Sequence, residues 1–245
     1  GGNMVFGRRE TLDNYLKNNF VETDRLLSQL YSFHDEYEII KAYDVMPSGL
    51  LIKNASLEED SYKIRYLSYC EEHDFENTNA LRSEQDHYDQ EAYSALIKHK
   101  QSGITLATVR LIPGKVYGAE LPSLVHYPST IPLNGIDLKH AAEISRLSIS
   151  KTRLREAGLS ASECSKLFAG IVSTCVLISQ DMKVDTWLGC MEPSLIIKLE
   201  RGYNLKLDWV GNPFEHHGIR KPFLSSMHNA IDAVHERHTL LRDII

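Results

Sequence analysis

The run His140–Ser150, HAAEISRLSIS, limits what the chain can become more than any other stretch. Its core alternates like a strand, yet it carries Glu143 and Arg146 into a largely apolar segment. Charged groups in an inner strand cost stability unless they are paired or put to use. In a regular strand the two side chains point to opposite faces, because the side-chain period is two. A bulge between them brings both to one face and releases an amide. The sequence therefore predicts a bulge at Ser145–Ser148. Ser160-x-x-Glu163 then reads as a capping box opening a helix, with Leu167, Phe168, Ile171, Val172, Cys175 and Ile178 on its buried face.

The rest of the chain fits around that strand and helix. Leu12, Tyr15, Leu16, Phe20, Leu26, Leu27, Leu30 and Tyr31 recur at mostly helical spacing and predict a helical extension over residues 1–36. Residues 37–245 read as the main domain. YEIIKAYDV and GLLIKNAS are short strand candidates around the turn Pro47-Ser48-Gly49. LEEDSYKIRYLSYCEEHDF reads as helix and ALRSEQDHYD as loop. EAYSALIKHK and ITLATVRLIP form a predicted hairpin about Ser102-Gly103. The Pro- and Gly-rich excursion from Pro113 to Gly135 separates them from the central strand. VDTWLGCM, LKLDWVG and IRKPFL supply later strands, EPSLIIKLERGY a short helix, and Asn229–Asp243 a closing helix. The order is that of a mixed α/β fold with one central sheet.

Composition excludes several classes. The net charge of −6 over 245 residues opposes general nucleic-acid binding, which needs a basic surface. No apolar run approaches the ~20 residues of a membrane span, and GGNMVFGRRE has no apolar core of a signal peptide. Cys70, Cys164, Cys175 and Cys190 lie far apart, which suits reduced thiols in the cytoplasm. His216-His217 and His235-x-x-His238 lack the cysteine or carboxylate partners that complete a metal site. Cys190, on an apolar strand with no base in view, reads as core, and Trp187 and Trp209 as core or tunnel wall. Glu58–Glu91 is acidic, whereas Lys151, Arg153 and Arg155 form a basic cluster suited to an anionic ligand or a small acidic partner.

Several motifs then fall into an order. Arg155-Glu156-Ala157-Gly158-Leu159-Ser160 resembles the R/Q-x-x-G-x-G/A loop that cradles a pyrophosphate in GNAT acyltransferases, with Ser160 departing at the last small position. Arg65 and Tyr69 share one helix, and Phe75 lies just beyond. Asp86 and Asp89 follow as D-x-x-D, then Arg110, then Glu143 and Arg146 as E-x-x-R. This ordered set, spanning roughly Ser61 to Phe223, resembles the acyl-homoserine-lactone synthases. It is more similar still to the long-chain N-acyl amino acid synthases and the exosortase-associated acyltransferases. Tyr69 stands where the family often has Phe, and Phe75 where the lactone synthases have Trp.

The resemblance implies a GNAT-like sheet whose splayed central strands accept the pantetheine arm of an acyl thioester. It implies a donor that is acyl carrier protein or coenzyme A thioester, a small amine acceptor, and no tightly bound cofactor. Glu143 is then the candidate general base, acting on the protonated amine through water. The alternative for Glu143 is a structural ion pair with Arg65 or Arg110. A backbone N–H at Leu147 or Ser148 is the candidate oxyanion donor. Arg65, Tyr69, Phe75, Asp86, Asp89, Arg110 and Arg146 are expected to shape the acceptor pocket. Lys151, Arg153, Arg155, Gly158 and Ser160 are expected to meet the phosphates or carrier of the donor. A rival expectation is a non-catalytic module of the same fold that senses an acyl thioester or metabolite.

Overall fold

The structure, a computed structural model, describes residues 33–114, 121–126, 136–202, 207–216 and 218–227. The expected helices of the N-terminal extension and at Asn229–Asp243, and the pair His235 and His238, lie outside the described residues. So do His217 and most of the Pro113–Gly135 excursion.

The strands are β1 (Tyr37–Lys41), β2 (Tyr43–Val45), β3 (Leu51–Lys53), β4 (Tyr93–His99), β5 (Thr105–Pro113), β6 (Ala141–Ile149), β7 (Thr186–Met191), β8 (Asp208–Trp209), β9 (Phe214–Glu215) and β10 (Ile219–Ser226). The helices are α1 (Ala55–Tyr66), α2 (Pro122–His126), α3 (Lys151–Glu156), α4 (Glu163–Met182) and α5 (Pro193–Gly202). The main sheet runs β1-β4-β5-β6-β7-β10-β8, with β9 on β10, while β2 and β3 form a separate ribbon. Every pairing in it is antiparallel except β6 with β7, which α4 connects as a crossover. The expected mixed sheet flanked by helices is thus present.

The period of two in β5 divides the protein into two layers. Ala107, Val109 and Leu111 join the core beneath α4, with Leu167, Phe168, Ile171, Val172, Cys175 and Ile178. Thr108 and Arg110 face the other way, where the Thr108 hydroxyl meets Ser61 of α1 at 2.7 Å. Trp187 is core, its indole N–H donating to Ser179 at 2.7 Å. The helix spanning Ala161–Met182 is long and apolar enough by length and composition alone to cross a bilayer, but most of it is buried within the protein. Its apolar face is spent on the sheet instead.

β6 is bulged as its sequence predicts. Arg110 opposes Ser145 and Thr108 opposes Ser148, so Val109 alone faces both Arg146 and Leu147. Arg146 takes φ +51°, a left-handed conformation costly for a non-glycine residue and concentrated at functional sites. Opposed residues share a face, so Glu143, Ser145 and Ser148 line the side on which Thr108 and Arg110 lie.

Pairing of β6 with β7 covers only Ala141–Glu143 against Thr186–Leu188. Beyond Glu143 and Leu188 the two strands have no further register, and β7 continues on β10 instead. Gly189 sits at this fork. A Cβ there would lie 2.9 Å from the Ile144 carbonyl oxygen and 2.9 Å from the Phe223 ring, so the close approach requires glycine.

Candidate active site

The D-x-x-D spacing has a local cause. Asp86 caps the 3₁₀ turn His87–Gln90 by accepting from the Tyr88 N–H at 2.9 Å, and Asp89 reciprocates from the Asp86 N–H at 2.8 Å. That box holds both carboxylates outward onto three guanidiniums. Arg65 of α1 reaches Asp89 through two nitrogens at 2.6 and 3.0 Å and Glu84 through Nε at 2.5 Å. Arg110 of β5 reaches Asp86 at 2.7 Å and Asp89 at 2.9 Å, and donates from Nε to Ser145 at 3.0 Å. Arg146, turned by the bulge, reaches Glu84 at 3.1 Å and Asp86 at 3.2 Å.

Three cations therefore meet three carboxylates in a closed network, with Arg65 and Arg110 fully buried. Burial alone would raise Asp89, but the guanidiniums of Arg65 and Arg110 hold its pKa at about 2. Asp86 is likewise lowered despite burial, chiefly by Arg110. Glu84 completes the charge balance and was missed in the sequence. It belongs to the acidic run before D-x-x-D, where nothing local separates it from its neighbours.

Glu143 is treated differently. It is buried on β6, and among the described residues its carboxylate makes no ion pair, neither with Arg65 nor with Arg110. The expected structural alternative is thus overturned, because Glu84, Asp86 and Asp89 already saturate those arginines. Glu143 instead accepts from Ser123 twice, from the backbone N–H at 3.0 Å and from the hydroxyl at 2.6 Å. Burial pushes its pKa up to about 7, against the opposing pull of Ser123 and the guanidiniums of Arg110 and Arg146. Ser123, in α2 within the Pro- and Gly-rich excursion, carries no sequence signal; only tertiary folding brings it to β6. Its hydroxyl also lies 3.3 Å from the Cys190 thiol of β7, so that cysteine borders the site rather than filling the core.

Between the network and the fork lies an aromatic group. The Arg146 guanidinium sits 5.4 Å from the Tyr69 ring centroid, and Tyr69 meets Phe75 edge-on at 5.8 Å. Phe75 stacks on His73 at 5.2 Å and lies under Arg220 of β10 at 5.3 Å. Tyr69 is placed by a π-helical turn, Leu67–Glu72, that continues α1, a departure common at functional sites. Its hydroxyl donates to the Leu147 carbonyl at the bulge at 3.5 Å. Ser148 is buried beside it, its hydroxyl donating to the Arg146 carbonyl at 3.3 Å.

The basic segment after β6 departs from expectation. Lys151–Glu156 forms the short helix α3, capped by Ser150, and its first amides are taken by Glu72. That carboxylate accepts from the Lys151 and Thr152 N–H groups, both at 3.0 Å, and from the Ser150 hydroxyl at 2.8 Å. Arg153 is turned inward to Asp60 at 2.9 Å and Thr105, leaving Lys151 and Arg155 as the exposed cations of the cluster. Gly158 makes a turn at φ +74°. The Ser160–Glu163 capping box does not form. α4 begins after Ser162, Ser160 bonds the Ser162 hydroxyl, and the Glu163 carboxylate accepts instead from Tyr37 across the sheet.

Residues 64–161, which hold the arginine–carboxylate network, Glu143 and Ser123, match the family described as acetyltransferase (GNAT) domain. No curated protein matches the sequence. Among solved structures, the protein is similar to the AHL synthase LasI, at TM-score 0.55 and 16% identity over 78% of this chain and 89% of that one. BjaI, a CoA-dependent acyl-homoserine lactone synthase with MTA, gives TM-score 0.58 and 15% identity over 82% and 88%. TofI, in a ternary complex with an inhibitor and MTA, gives 0.57 and 14% over 84% and 99%. At such identities the likeness is one of fold. The chain thus contains a segment that matches the GNAT acetyltransferase domain, and its fold is like that of the acyl-homoserine-lactone synthases.

Proposed function

We propose that the protein is an N-acyltransferase moving a fatty acyl chain from an acyl thioester to the amino group of an amino acid or related amine. The observation that carries this reading is Glu143, a buried carboxylate without an ion pair among the described residues, with its pKa pushed up to about 7, placed where β6 and β7 cease to pair. A base is most effective when its pKa lies near the working pH. An amine nucleophile is protonated and inert until such a group removes a proton.

In the proposed step Glu143 takes a proton from the acceptor ammonium, directly or through one water. The freed nitrogen attacks the thioester carbonyl, and the carbonyl electron pair moves onto oxygen. A backbone N–H at Leu147 or Ser148, beside the bulge, stabilises that oxyanion. Collapse breaks the carbon–sulfur bond, the thiolate takes the second proton of the attacking nitrogen and leaves as the thiol, an amide remains, and Glu143 gives its proton to water. Arg146 is the network arginine that reaches solvent, its side chain 23% exposed while Arg65 and Arg110 are shut in. With Tyr69 and Phe75 it is suited to an acceptor carboxylate. Arg65, Arg110, Asp86 and Asp89 then hold that wall in place. Lys151 and Arg155 face the donor's phosphates or an acidic carrier protein in the cytoplasm, with Gly158 and Ser160 in the turn that follows.

Incubation with medium- and long-chain acyl thioesters, carrier-bound or of coenzyme A, and a mixture of amino acids tests the reading. Mass spectrometry should show an N-acyl amino acid and stoichiometric free thiol. Tight binding of acyl thioester with no amide from any amine would replace the enzyme with a sensor.

A further inference from the structure

Among the described residues Ser123 is the sole hydrogen-bond partner of Glu143, and it engages both carboxylate oxygens. We propose that Ser123 is a positioning residue for the general base, holding Glu143 at the fork in its ionised form through a directed chain from Cys190. This inference rests on the reading of Glu143 as base.

Three observations carry it. A carboxylate only accepts, so the single Ser123 hydroxyl proton goes to Glu143 at 2.6 Å. The oxygen of that hydroxyl is then the acceptor in the 3.3 Å contact with Cys190, whose thiol donates. Burial pushes the thiol up to about 11, so it keeps its proton near neutrality. The chain thus runs one way, S–H to O–H to carboxylate, and each link polarises the next.

Secondly, the residues around Ser123 are packed onto the sheet. Leu121 and Leu124 of the same segment pack with Ala92, Ile112, Ala141 and Leu188, which include the sheet partners of Glu143 on both sides. The strands that fix the base also fix its donor, as preorganised sites require.

Thirdly, nothing else among the described residues near Glu143 supplies this support. Among the described residues, the charged and titratable groups facing it are Arg110 from β5, Arg146 from β6 and the Cys190 thiol from β7. Both guanidiniums are engaged by Glu84, Asp86 and Asp89, so they act on Glu143 only at a distance. Hydrogen bonds to the charged form favour it against burial.

Ser123→Thr and Ser123→Val share a shape and differ in the hydroxyl, so their comparison isolates the bond from any packing change. The acid limb of kcat/KM is measured for both, with Ser123→Ala and Glu143→Gln alongside, using the acyl-coenzyme A and amine on which the wild type is active. The ¹³C shift of the Glu143 carboxyl is titrated in the same proteins, its signal assigned by loss in Glu143→Gln. We expect the limb and the titration of Ser123→Val to move up by about one pH unit, tenfold at the acid end, with donor KM unchanged and Ser123→Thr close to wild type. Coincident titrations for Thr and Val would overturn the inference while leaving the base reading intact. Wild-type turnover in Glu143→Gln would instead overturn the base reading, and the carboxyl titration alone would then decide whether Ser123 holds Glu143.

Discussion

The carboxylates around β6 are of one chemical kind, and the fold treats them in two ways. Glu84, Asp86 and Asp89 are matched one for one by Arg65, Arg110 and Arg146, and Asp89 is held as an anion down to about pH 2. Glu143, three residues before Arg146, receives two hydrogen bonds and, among the described residues, no counter-charge, and burial pushes its pKa up to about 7. The difference is one of supply. With three cations already taken by three anions, the fourth carboxylate is left as a group that can give and take a proton. On the proposed reading the network is architecture, and the lone carboxylate is chemistry.

Breaking the matched side should have the largest effect. Arg65→Met leaves Glu84 and Asp89 buried without their main partner, and thermal or denaturant unfolding should show a loss of about 3–5 kcal/mol. Removing the lone charge should act oppositely on stability. Glu143 has its pKa raised from 4.5 to about 7 on folding, so the folded state binds the extra proton between those values. Stability contributed by that proton is present below about pH 4.5 and is lost as pH rises through 7. Glu143→Gln should therefore stabilise the protein at pH 8 by about 2–3 kcal/mol and change little at pH 4.

Asp89 has the reverse sign. Its folded pKa lies below its ordinary value of 3.8, so its contribution is full above that value and fades as pH falls toward 2. Asp89→Asn should flatten acid unfolding across that interval, measured by circular dichroism. The smallest effect on stability belongs to the exposed cations. Lys151→Glu with Arg155→Glu should shift unfolding by no more than about 0.5 kcal/mol, yet raise KM for a carrier-bound donor several-fold. Arg153→Glu, by contrast, should destabilise, because Arg153 is bound to Asp60.

Much of this contrast is legible in the chain, and what is legible is local. D-x-x-D is the spacing of a capping box, and the charges in HAAEISRLSIS demand a bulge whatever surrounds them. What escaped depends on contacts between distant segments. Ser123 lies in an excursion without periodicity, and Glu84 is one acid among several. The π turn that places Tyr69 leaves no mark on an ordinary helical pattern. Ser160 failed as a cap because the short helix α3 and the Gly158 turn come between β6 and α4. Ser162 already has helical φ and ψ of −62° and −24°, and Glu163 is drawn to Tyr37. The basic cluster predicts a patch for an anionic ligand or acidic partner, but its middle member, Arg153, turns inward to Asp60.

The central claim is that Glu143 alone among these carboxylates works on the proton of the acceptor. Single-turnover acylation by Glu143→Gln, with acyl-donor affinity measured on the same protein, tests it most directly. The expected result is a loss of about 10²–10⁴-fold in the acyl-transfer rate with donor affinity unchanged. Acyl transfer within a few-fold of wild type would contradict it.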